Sequence, residues 1–355
     1  MRDLDTLAGE LRAGKINRFD FLRGAAGLGL SAAAAASILD PFNAMAVMAA
    51  AKGNPLVTPA HPPKKAKYLI GFSQSELNNT WRFAETKSMK DEWTAHWAAK
   101  YDYISTVANG DTAKQVSDVG DLIARGCDLI VLTPREVDPL KAATVRALAA
   151  GVPVIEIDRN SAGKPGKDYL CLINNDQFSQ GVKVGNYFIQ NTKGPINYLE
   201  LRGSTGAGPA ILRGGGWHHV IDPVKRFTML DSQDGDFTLA TAKRIMTNWI
   251  TKFGNKIDLV YAHNDGMGDG AYQAIQEAGF TKKLRWGSID GQNDVFLRIA
   301  QGNWDICVTN SPKYGPLTWK WVNAYFTAQK VPANIVPVDI TVTKASAKAM
   351  EGQGF

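Results

Sequence analysis

The sequence has few cysteines, no long basic run and no apolar run of membrane-spanning length. Its 355 residues include three cysteines, which allow one disulfide at most and exclude a disulfide-stabilised scaffold. The net charge is +6, yet no lysine and arginine cluster of the kind that binds nucleic acid occurs. The longest apolar stretch, residues 24–39, is shorter than the roughly 20 residues that cross a bilayer. What remains is an ordinary globular composition at a length typical of two domains.

Motifs for catalysis and for metal or cofactor binding are also missing. There is no Gly-x-Ser-x-Gly elbow, no distinct Cys/His pair and no metal-ligand spacing. Residues 203–208 are rich in glycine but lack the ending of a P-loop, so a strand-to-helix turn is favoured over a phosphate cradle. His218 and His219 are adjacent and would point apart on a helix. We therefore expect no catalytic residue, no metal and no cofactor, and we expect the three cysteines to be buried thiols.

Residues 1–46 have the order of an export signal. A charged segment ends at Arg23, residues 24–39 are apolar, and the small-x-small triplet Ala44-Met45-Ala46 follows. An uncleaved membrane anchor is the alternative, but the Ala/Gly-rich stretch is short for a span. We expect cleavage after this triplet and a periplasmic location.

The export route and the segment after the signal are less sharply defined. Residues 18–23 resemble the twin-arginine signal, but Phe19 stands where the second arginine belongs, so the general and twin-arginine routes both stay open. Residues 47–66 are rich in Pro, Ala and Lys and show no apolar period. They are predicted to be a flexible leader.

From Tyr68 onward, short apolar runs alternate with helical patterns, including a helix predicted over residues 82–100. Strands are predicted at Tyr68–Phe72, Asp128–Leu132, Val152–Ile157, Tyr169–Ile173, Ile196–Leu201, Phe227–Leu230, Leu259–Ala262, Trp286–Ile289, Ile306–Val308 and Val336–Val342. Alternating strands and helices predict parallel sheets with right-handed crossovers. So many strands exceed one comfortable open sheet, and two α/β lobes are the economical interpretation.

Polar and aromatic residues follow most of these strands. In an open α/β sheet, ligands bind outside the carboxyl ends of the strands, where these side chains would collect. The mixture of amides, carboxylates and guanidiniums suits a polyhydroxylated ligand, and Trp81 and Phe237 offer flat faces for a sugar ring. Asp265 and Gln292 are interpreted as helix caps rather than ligand-binding residues.

These strand-end residues resemble the periplasmic sugar-binding proteins of ABC importers, in the ribose/galactose cluster and closest to the galactofuranose-binding type. The similarity runs from about Tyr68 to the C-terminal residues. Its motifs are Gly71-Phe72-Ser73-Gln74, Trp81-Arg82-Phe83-Ala84-Glu85-Thr86, Ile157-Asp158-Arg159, Asp231-Ser232-Gln233-Asp234-Gly235-Asp236-Phe237-Thr238, Val260-Tyr261-Ala262-His263-Asn264-Asp265 and Gly287-Ser288-Ile289-Asp290-Gly291.

The resemblance implies a type I periplasmic binding protein, or Venus flytrap, with two Rossmann-like lobes joined by three crossing segments. We place the N-terminal lobe at residues 67–173 plus 311–338, and the C-terminal lobe at residues 174–310 plus 339–355. The resemblance also implies that a pentose or hexose, in pyranose or furanose form, binds between the lobes and is passed to an ABC permease and its ATPase. We expect a monomer with no nucleic-acid partner and no enzymatic activity.

The resemblance assigns roles to single residues. Asp158 and Arg159 would bind ring hydroxyls from the first lobe, Arg213, Asn264 and Asp290 from the second, and Phe237 would stack on the ring. Asn310 stands where ribose-binding proteins usually have glutamine, while Arg82 and Glu85 follow the galactofuranose-type pattern and Asn79 the ribose type. The predicted ligand-binding set is Gln74, Ser75, Asn79, Trp81, Arg82, Glu85, Asp158, Arg159, Arg213, Phe237, Asn264, Asp290 and Asn310. Replacing Asp158 by Ala is expected to abolish binding and to leave the melting temperature of the unliganded protein nearly unchanged.

Three other functions are weighed against this one. A sensory binding protein that hands its closed form to a chemoreceptor or kinase has the same sequence features. The ligand core of a transcription repressor would need a helix-turn-helix where this chain has an apolar export segment. A sugar-active enzyme could use Asp158 and Glu85 as paired carboxylates, but nothing in the sequence points to the fixed spacing that glycoside hydrolysis requires.

Overall fold

The computed structural model describes Leu56–Val57 and residues 64–355, so the predicted export signal lies outside the described residues. The first elements in chain order are β1 (Leu56–Val57), β2 (Tyr68–Gln74), α1 (Thr80–Glu92), β3 (Tyr101–Val107), α2 (Thr112–Ala124), β4 (Leu129–Leu132), α3 (Val137–Ala149), β5 (Val154–Ile157), β6 (Cys171–Ile173) and α4 (Gln177–Asn191). They are followed by β7 (Ile196–Arg202), α5 (Gly208–Ile221), β8 (Phe227–Asp234), α6 (Leu239–Phe253), β9 (Leu259–Ala262), α7 (Asp265–Glu277), β10 (Arg285–Asp290), α8 (Asn293–Gln301), β11 (Ile306–Thr309), α9 (Gly315–Phe326), β12 (Val331–Pro332), β13 (Asn334–Ile335), β14 (Thr341–Thr343) and α10 (Ala347–Met350).

The strands form two six-stranded sheets, as the predicted two-lobe fold requires. The first lobe contains the sheet β13-β6-β5-β4-β2-β3, and the second lobe contains the sheet β14-β11-β10-β9-β7-β8. All neighbours within these sheets are parallel except β14, which pairs antiparallel with β11. The chain passes between the sheets at residues 174–176, 310–314 and 336–340. The prediction of parallel sheets joined by three crossing segments is confirmed; the lobe limits set above at single residues stay predictions.

Both faces of each sheet are covered, which is why the strands are continuous apolar runs. All four residues of Leu129–Leu132 are buried, as are all four of Leu259–Ala262. Helix α9 packs on α1 and buries Trp319 in the first-lobe core, although it follows the second-lobe strands in the chain. The three cysteines are free and buried, as predicted.

Side-chain caps start several helices directly after a strand. Asn79 accepts a hydrogen bond from the backbone of Arg82 at the start of α1, and Asn264 accepts from Met267 at the start of α7. Such a cap satisfies a backbone N–H that has no partner within the helix. Each cap fixes where the chain turns, at the sheet edge that faces the other lobe.

Two sequence predictions of strands were wrong. Tyr101–Val107 forms β3, an edge strand for which no strand was predicted; its alternation of Tyr and Ile with polar residues suits a strand covered on one face. The segment Val336–Val342 was predicted as one strand, but residues 336–340 cross between the lobes and pairing occurs only on either side. An apolar run alone cannot show which sheet each half joins.

Two further elements differ from the sequence prediction. The helix predicted over residues 82–100 is an α-helix only to Glu92 and continues as a π-helical turn over Trp93–Trp97. Within the predicted flexible leader, Leu56–Val57 pairs antiparallel with Val331–Pro332. No helix among the described residues is long and apolar enough to cross a membrane.

Helices α4 and α5 approach so closely that only glycine fits at their contact. A Cβ on Gly216 would lie 2.0 Å from the carbonyl oxygen of Phe178, and one on Gly181 would lie 2.1 Å from the carbonyl oxygen of Arg213. Helix α5 carries Arg213, so this contact determines where that side chain starts.

Replacing Gly216 by Ala should lower the free energy of unfolding by about 2 kcal/mol or more, because backbone atoms on α4 cannot move aside cheaply. Gly215→Ala is the matched control, since its Cβ would meet only the Phe178 ring at 3.7 Å. The control should raise stability by about 0.5 to 1 kcal/mol, as an exposed Gly-to-Ala change in a helix does. Urea denaturation of both variants measures the difference, and equal effects would contradict the close approach.

Candidate functional site

A cavity lies between the lobes at the carboxyl ends of the strands; its empty space, including the part open to solvent, is about 270 Å³. Its lining residues are Asn79, Trp81, Arg82, Asp158, Arg159, Pro209, Arg213, Phe237, Asn264, Asp290 and Asn310. All of these except Pro209 belong to the predicted set. The strand-end argument placed them at facing edges of two sheets, and the structure brings them together.

The first-lobe side of the cavity is built around a buried ion pair. Nη2 of Arg82 lies 2.6 Å from Oδ2 of Asp158, and the side chains of both residues are almost fully buried. Nη1 of Arg82 lies 2.8 Å from Glu85. Burial of a guanidinium is tolerated only when carboxylates surround it, which explains why acidic residues gather here.

Glu76 is part of the same network, although the sequence analysis did not single it out. It accepts a hydrogen bond from Nη2 of Arg159 at 2.8 Å, and Arg82 and Arg135 lie at 3.6 and 3.7 Å. Burial disfavours its charged form, but the three guanidiniums together hold the pKa of Glu76 at about 2. Its only signal in the sequence was its place in the polar segment after β2, shortly before Arg82.

Three predicted residues do not reach the cavity lining: Gln74, Ser75 and Glu85. The side-chain amide of Gln74 donates to Glu85 at 3.0 Å and to Thr86 at 2.9 Å, and its carbonyl accepts from the backbone of Ser75. All three are completely buried behind Arg82. Burial and the neighbouring charge of Asp158, opposed by Arg82, raise the pKa of Glu85 to about 7. Glu85, which is held by Gln74, therefore orients Arg82 rather than faces the cavity.

The second-lobe side mirrors this arrangement around Arg213. Its guanidinium donates to Gln180 at 3.0 Å, to the carbonyl of His263 at 2.6 Å and to Oδ1 of Asp290 at 3.2 Å. Burial raises the pKa of Asp290 well above its usual range, although Arg213 opposes the shift. Oδ2 of Asp290 receives no hydrogen bond from the described residues, so it can accept one from a ligand hydroxyl.

The capping role predicted for Asp265 was wrong, whereas Gln292 occupies the N-cap position of α8 but forms no side-chain cap. Asn264 caps α7, while the carboxylate of Asp265 accepts from the backbone of Gly291 at 2.8 Å and of Gln292 at 2.7 Å. Asp265 thus holds the turn that carries Asp290. Gln292 makes no side-chain cap and donates instead to Thr80 of the first lobe at 2.6 Å.

Phe237 supplies the aromatic face, at the cost of backbone strain. Asp236 and Phe237 have φ values of 54° and 56°, a left-handed conformation that non-glycine residues avoid. The ring lies over Gly203, where a Cβ would come within 1.9 Å of it. Across the cavity, the guanidinium of Arg159 lies 5.5 Å from the ring centroid. The strained turn therefore points a flat apolar surface toward the other lobe.

Asn310 lies on a crossing segment and contacts both lobes. Its carbonyl accepts from Nε1 of Trp81 at 2.7 Å, and its side-chain oxygen accepts from Gln180 at 3.2 Å. Its amide lies 3.5 Å from Oδ1 of Asp158. A change in the angle between the lobes would therefore alter the hydrogen bonds of Asn310.

The two lobes contact each other on both sides of the cavity. The backbone N–H of Val137 donates to the carbonyl of Gly206 at 3.1 Å, and Arg135 lies 3.4 Å from Asp236. On the other side, Gln292 reaches Thr80. Among the described residues, no group of three His, Cys, Asp or Glu side chains could hold a metal ion. The chemistry present is that of hydrogen bonding and stacking.

Residues 70–330 match the family model for a periplasmic binding protein domain. The chain is 31% identical to the galactofuranose-binding protein YtfQ of Escherichia coli over 290 residues, which cover 79% of this chain and 87% of that protein. It is 29% identical to the ribose import binding protein RbsB of Bacillus subtilis over 258 residues, 72% of this chain and 80% of that one. The periplasmic binding protein of a Shewanella arabinose ABC transporter, solved with α- and β-L-arabinofuranose, superposes with a TM-score of 0.74 at 29% identity, covering 80% of this chain and 95% of that one.

Because Asp158 forms a buried ion pair with Arg82, we no longer expect Asp158→Ala to leave stability unchanged. The substitution strands the buried Arg82 guanidinium and puts Ala at a φ of 60°, so the unliganded protein should lose about 3 kcal/mol of unfolding free energy. Asp91→Ala, which breaks an exposed pair with Lys87, is the control and should change stability by about 0.5 kcal/mol or less. Thermal denaturation without ligand decides, and an unchanged melting temperature for Asp158→Ala would contradict the network.

The raised pKa of Glu85 makes the network sensitive to pH. Because the folded pKa of about 7 exceeds the usual 4.5, folding favours the protonated form. Wild type should therefore lose stability relative to Glu85→Gln as pH rises from about 4.5 to 7, by up to about 3 kcal/mol, and the difference should be constant above pH 7. Glu277→Gln, at an exposed carboxylate, should show no such trend. Denaturation across this range measures it, and a pH-independent difference would show that Glu85 stays ionised.

Proposed function

The chain belongs to the periplasmic binding protein family, and we propose that it captures a monosaccharide between its lobes and delivers it to an ABC-type sugar importer. This family membership is what the strand-end motifs predicted. The family is one of periplasmic transport proteins rather than enzymes, and its relatives YtfQ and RbsB are named for binding galactofuranose and for importing ribose. The proposal concerns the ligand, the importer and the role of individual residues of this chain.

One observation carries the choice of ligand: each lobe presents an Arg–Asp pair to the same cavity. Arg82 pairs with Asp158 in the first lobe, and Arg213 pairs with Asp290 in the second. The third arginine on the cavity wall, Arg159, pairs with Glu76. Because all three guanidiniums already have a carboxylate partner, the site has no unpaired cation for an anionic ligand. Carboxylate oxygens accept hydrogen bonds from hydroxyl groups and arginine donates to neighbouring oxygens, which together favour a neutral polyhydroxylated molecule.

We place furanose forms first among candidate sugars. YtfQ is a galactofuranose-binding protein, and the Shewanella protein was solved with arabinofuranose. Arg82, which follows the galactofuranose-type pattern, lies on the cavity wall and pairs with Asp158. Phe237 would stack on the C–H face of the ring, while Asn79, Asn264 and Asn310 would contribute amide contacts from three sides.

Transport follows from closure of the lobes. An open cleft is hydrated, and a sugar that contacts both lobes stabilises the closed form by its differential affinity. The closed surface is then the form that a permease with its ATPase distinguishes from the open one. We propose that this takes place in the periplasm after export and that the protein acts as a monomer, binding without turnover.

Titration calorimetry of the exported protein against pentoses and hexoses, including furanose forms, tests the proposal. We expect saturable binding of a neutral sugar with a dissociation constant at or below about 1 µM, and none of the corresponding aldonic acid, for which the site has no unpaired cation. Phe237→Ala should weaken binding about tenfold, whereas Phe83→Ala, at an exposed phenylalanine, should not. Absence of binding across the whole panel would refute the sugar assignment, and release of sugar from glycosides would indicate an enzyme.

A further inference from the structure

Behind the second-lobe wall of the cavity lies a buried polar cluster that does not touch the cavity. The Glu200 cluster consists of Glu200 on β7, Ser232 on β8, His218 on α5 and His263 directly after β9. The carboxylate of Glu200 lies 2.9 Å from Nε2 of His263, 3.2 Å from Nε2 of His218 and 2.6 Å from the hydroxyl of Ser232. Glu200 and His263 are almost completely buried. One carboxylate thus joins two strands, a helix and a strand-end loop.

Burial and hydrogen bonding determine which members of the Glu200 cluster are charged. Despite its burial, hydrogen bonds from both histidines hold the pKa of Glu200 well below its usual range. The hydrogen bond to Glu200 raises the pKa of His218 to about 9, against the effect of burial. Burial lowers the pKa of His263. At neutral pH the cluster therefore holds an ion pair between Glu200 and His218, and a neutral His263 that donates from Nε2.

The residues that follow His263 connect the cluster to the cavity. The carbonyl of His263 accepts the shortest of the three hydrogen bonds from Arg213, at 2.6 Å. Asn264 lines the cavity, and Asp265 holds the turn that carries Asp290. A shift of this loop would therefore move three cavity residues of the second lobe together.

Helix α5 reaches the same cluster from the other side. It carries Arg213 and His218, and between them Gly214 lies against the cluster, where a Cβ would be 3.2 Å from the ring of His263 and 3.5 Å from Glu200. Glu200 thus links the helix, through His218, to the loop after β9, through His263. Glu200 therefore helps to position both the donor and the acceptor of the Arg213–His263 hydrogen bond.

We propose that Glu200 is a positioning residue for sugar binding, which acts by fixing Arg213 against the loop that carries His263 and Asn264. The inference rests on the proposed function, because it concerns the affinity of the same cavity. It goes beyond that function because Glu200 contacts neither the cavity nor the other lobe. Neither the strand-end rule nor the family motifs point to it, since Glu200 precedes the end of β7 and its neighbours in the strand are apolar.

The decisive experiment measures sugar affinity in a double-mutant cycle with the tightest ligand of wild type. Glu200→Gln should raise the dissociation constant about tenfold. The neutral amide cannot form the ion pair with His218, so the guanidinium of Arg213 is held less firmly in its orientation. In the Arg213→Lys background the same change should have less than about a twofold effect, because the group that Glu200 positions has already been replaced. Glu277→Gln is the matched control and should leave affinity unchanged.

The possible results distinguish a failure of the proposed function from a failure of the positioning role. Wild type that binds no sugar overturns the proposed function. Wild type that binds while Glu200→Gln binds equally well, or with the same penalty in both backgrounds, overturns the positioning role alone. A variant with a lower melting temperature but unchanged affinity would show a merely structural residue.

If Glu200→Gln does not fold, the partially exposed His218 gives a second arm. The groups that face His218 and Glu200 are Asp222 on α5, Tyr198 on β7, Tyr261 on β9 and His263, with Arg213 beyond His263. The pKa values of both tyrosines are raised, so they stay neutral near pH 9. Above the range around pH 7 in which Glu85 titrates, wild-type affinity should fall as His218 loses its proton at about pH 9. His218→Gln should be weaker at pH 7 and lack this fall; an identical pH profile in both proteins would overturn the proposal.

Discussion

Guanidinium groups held out of water between the lobes constrain everything around them. Removing such a charge from water costs several kcal/mol unless carboxylates and hydrogen-bond acceptors surround it. Arg82 is matched by Asp158 and Glu85, Arg159 by Glu76, and Arg213 by Asp290. Once these pairs are fixed, the orientation of the cavity walls follows, because each guanidinium is planar and its partners lie at defined places around it. The proposed preference for neutral ligands and the burial of acidic residues behind the cavity wall both follow from these pairs.

The strained backbone of the site has a related cause. Three residues that line the cavity, Asp158, Phe237 and Asp290, have positive φ, and each lies at the end of a strand or shortly after one. A strand that continued in the extended conformation would carry these side chains past the cavity, whereas a left-handed residue turns them into it. Strain of this kind persists only where the surrounding contacts determine it, and at Asp158 and Asp290 the paired arginines supply those contacts.

The sequence predicted correctly the sheet edge at which the site forms. It predicted less well which side chains line the cavity and which lie behind its wall. Asp158, Arg213 and Phe237 could be predicted because parallel strands end at a common edge. The same rule could not separate Arg82, which faces the cavity, from Glu85 one helical turn later, which lies behind it. Glu76 and Glu200 were missed because their roles arise from residues far away in the chain, and apolar periodicity carries no information about such partners. Val336–Val342 was misjudged for the same reason: its two ends join different sheets.

The order of the edge strands has a consequence for synthesis. The first-lobe sheet ends in β13 and the second-lobe sheet in β14, and these strands are only six residues apart near the end of the described chain. Helix α9, which buries Trp319 in the first-lobe core, also comes late. Although domains generally fold as units while a chain emerges from the ribosome, neither lobe here can complete its sheet until residues 334–343 have been made. The two sheets are therefore completed almost together, by neighbouring segments of the chain.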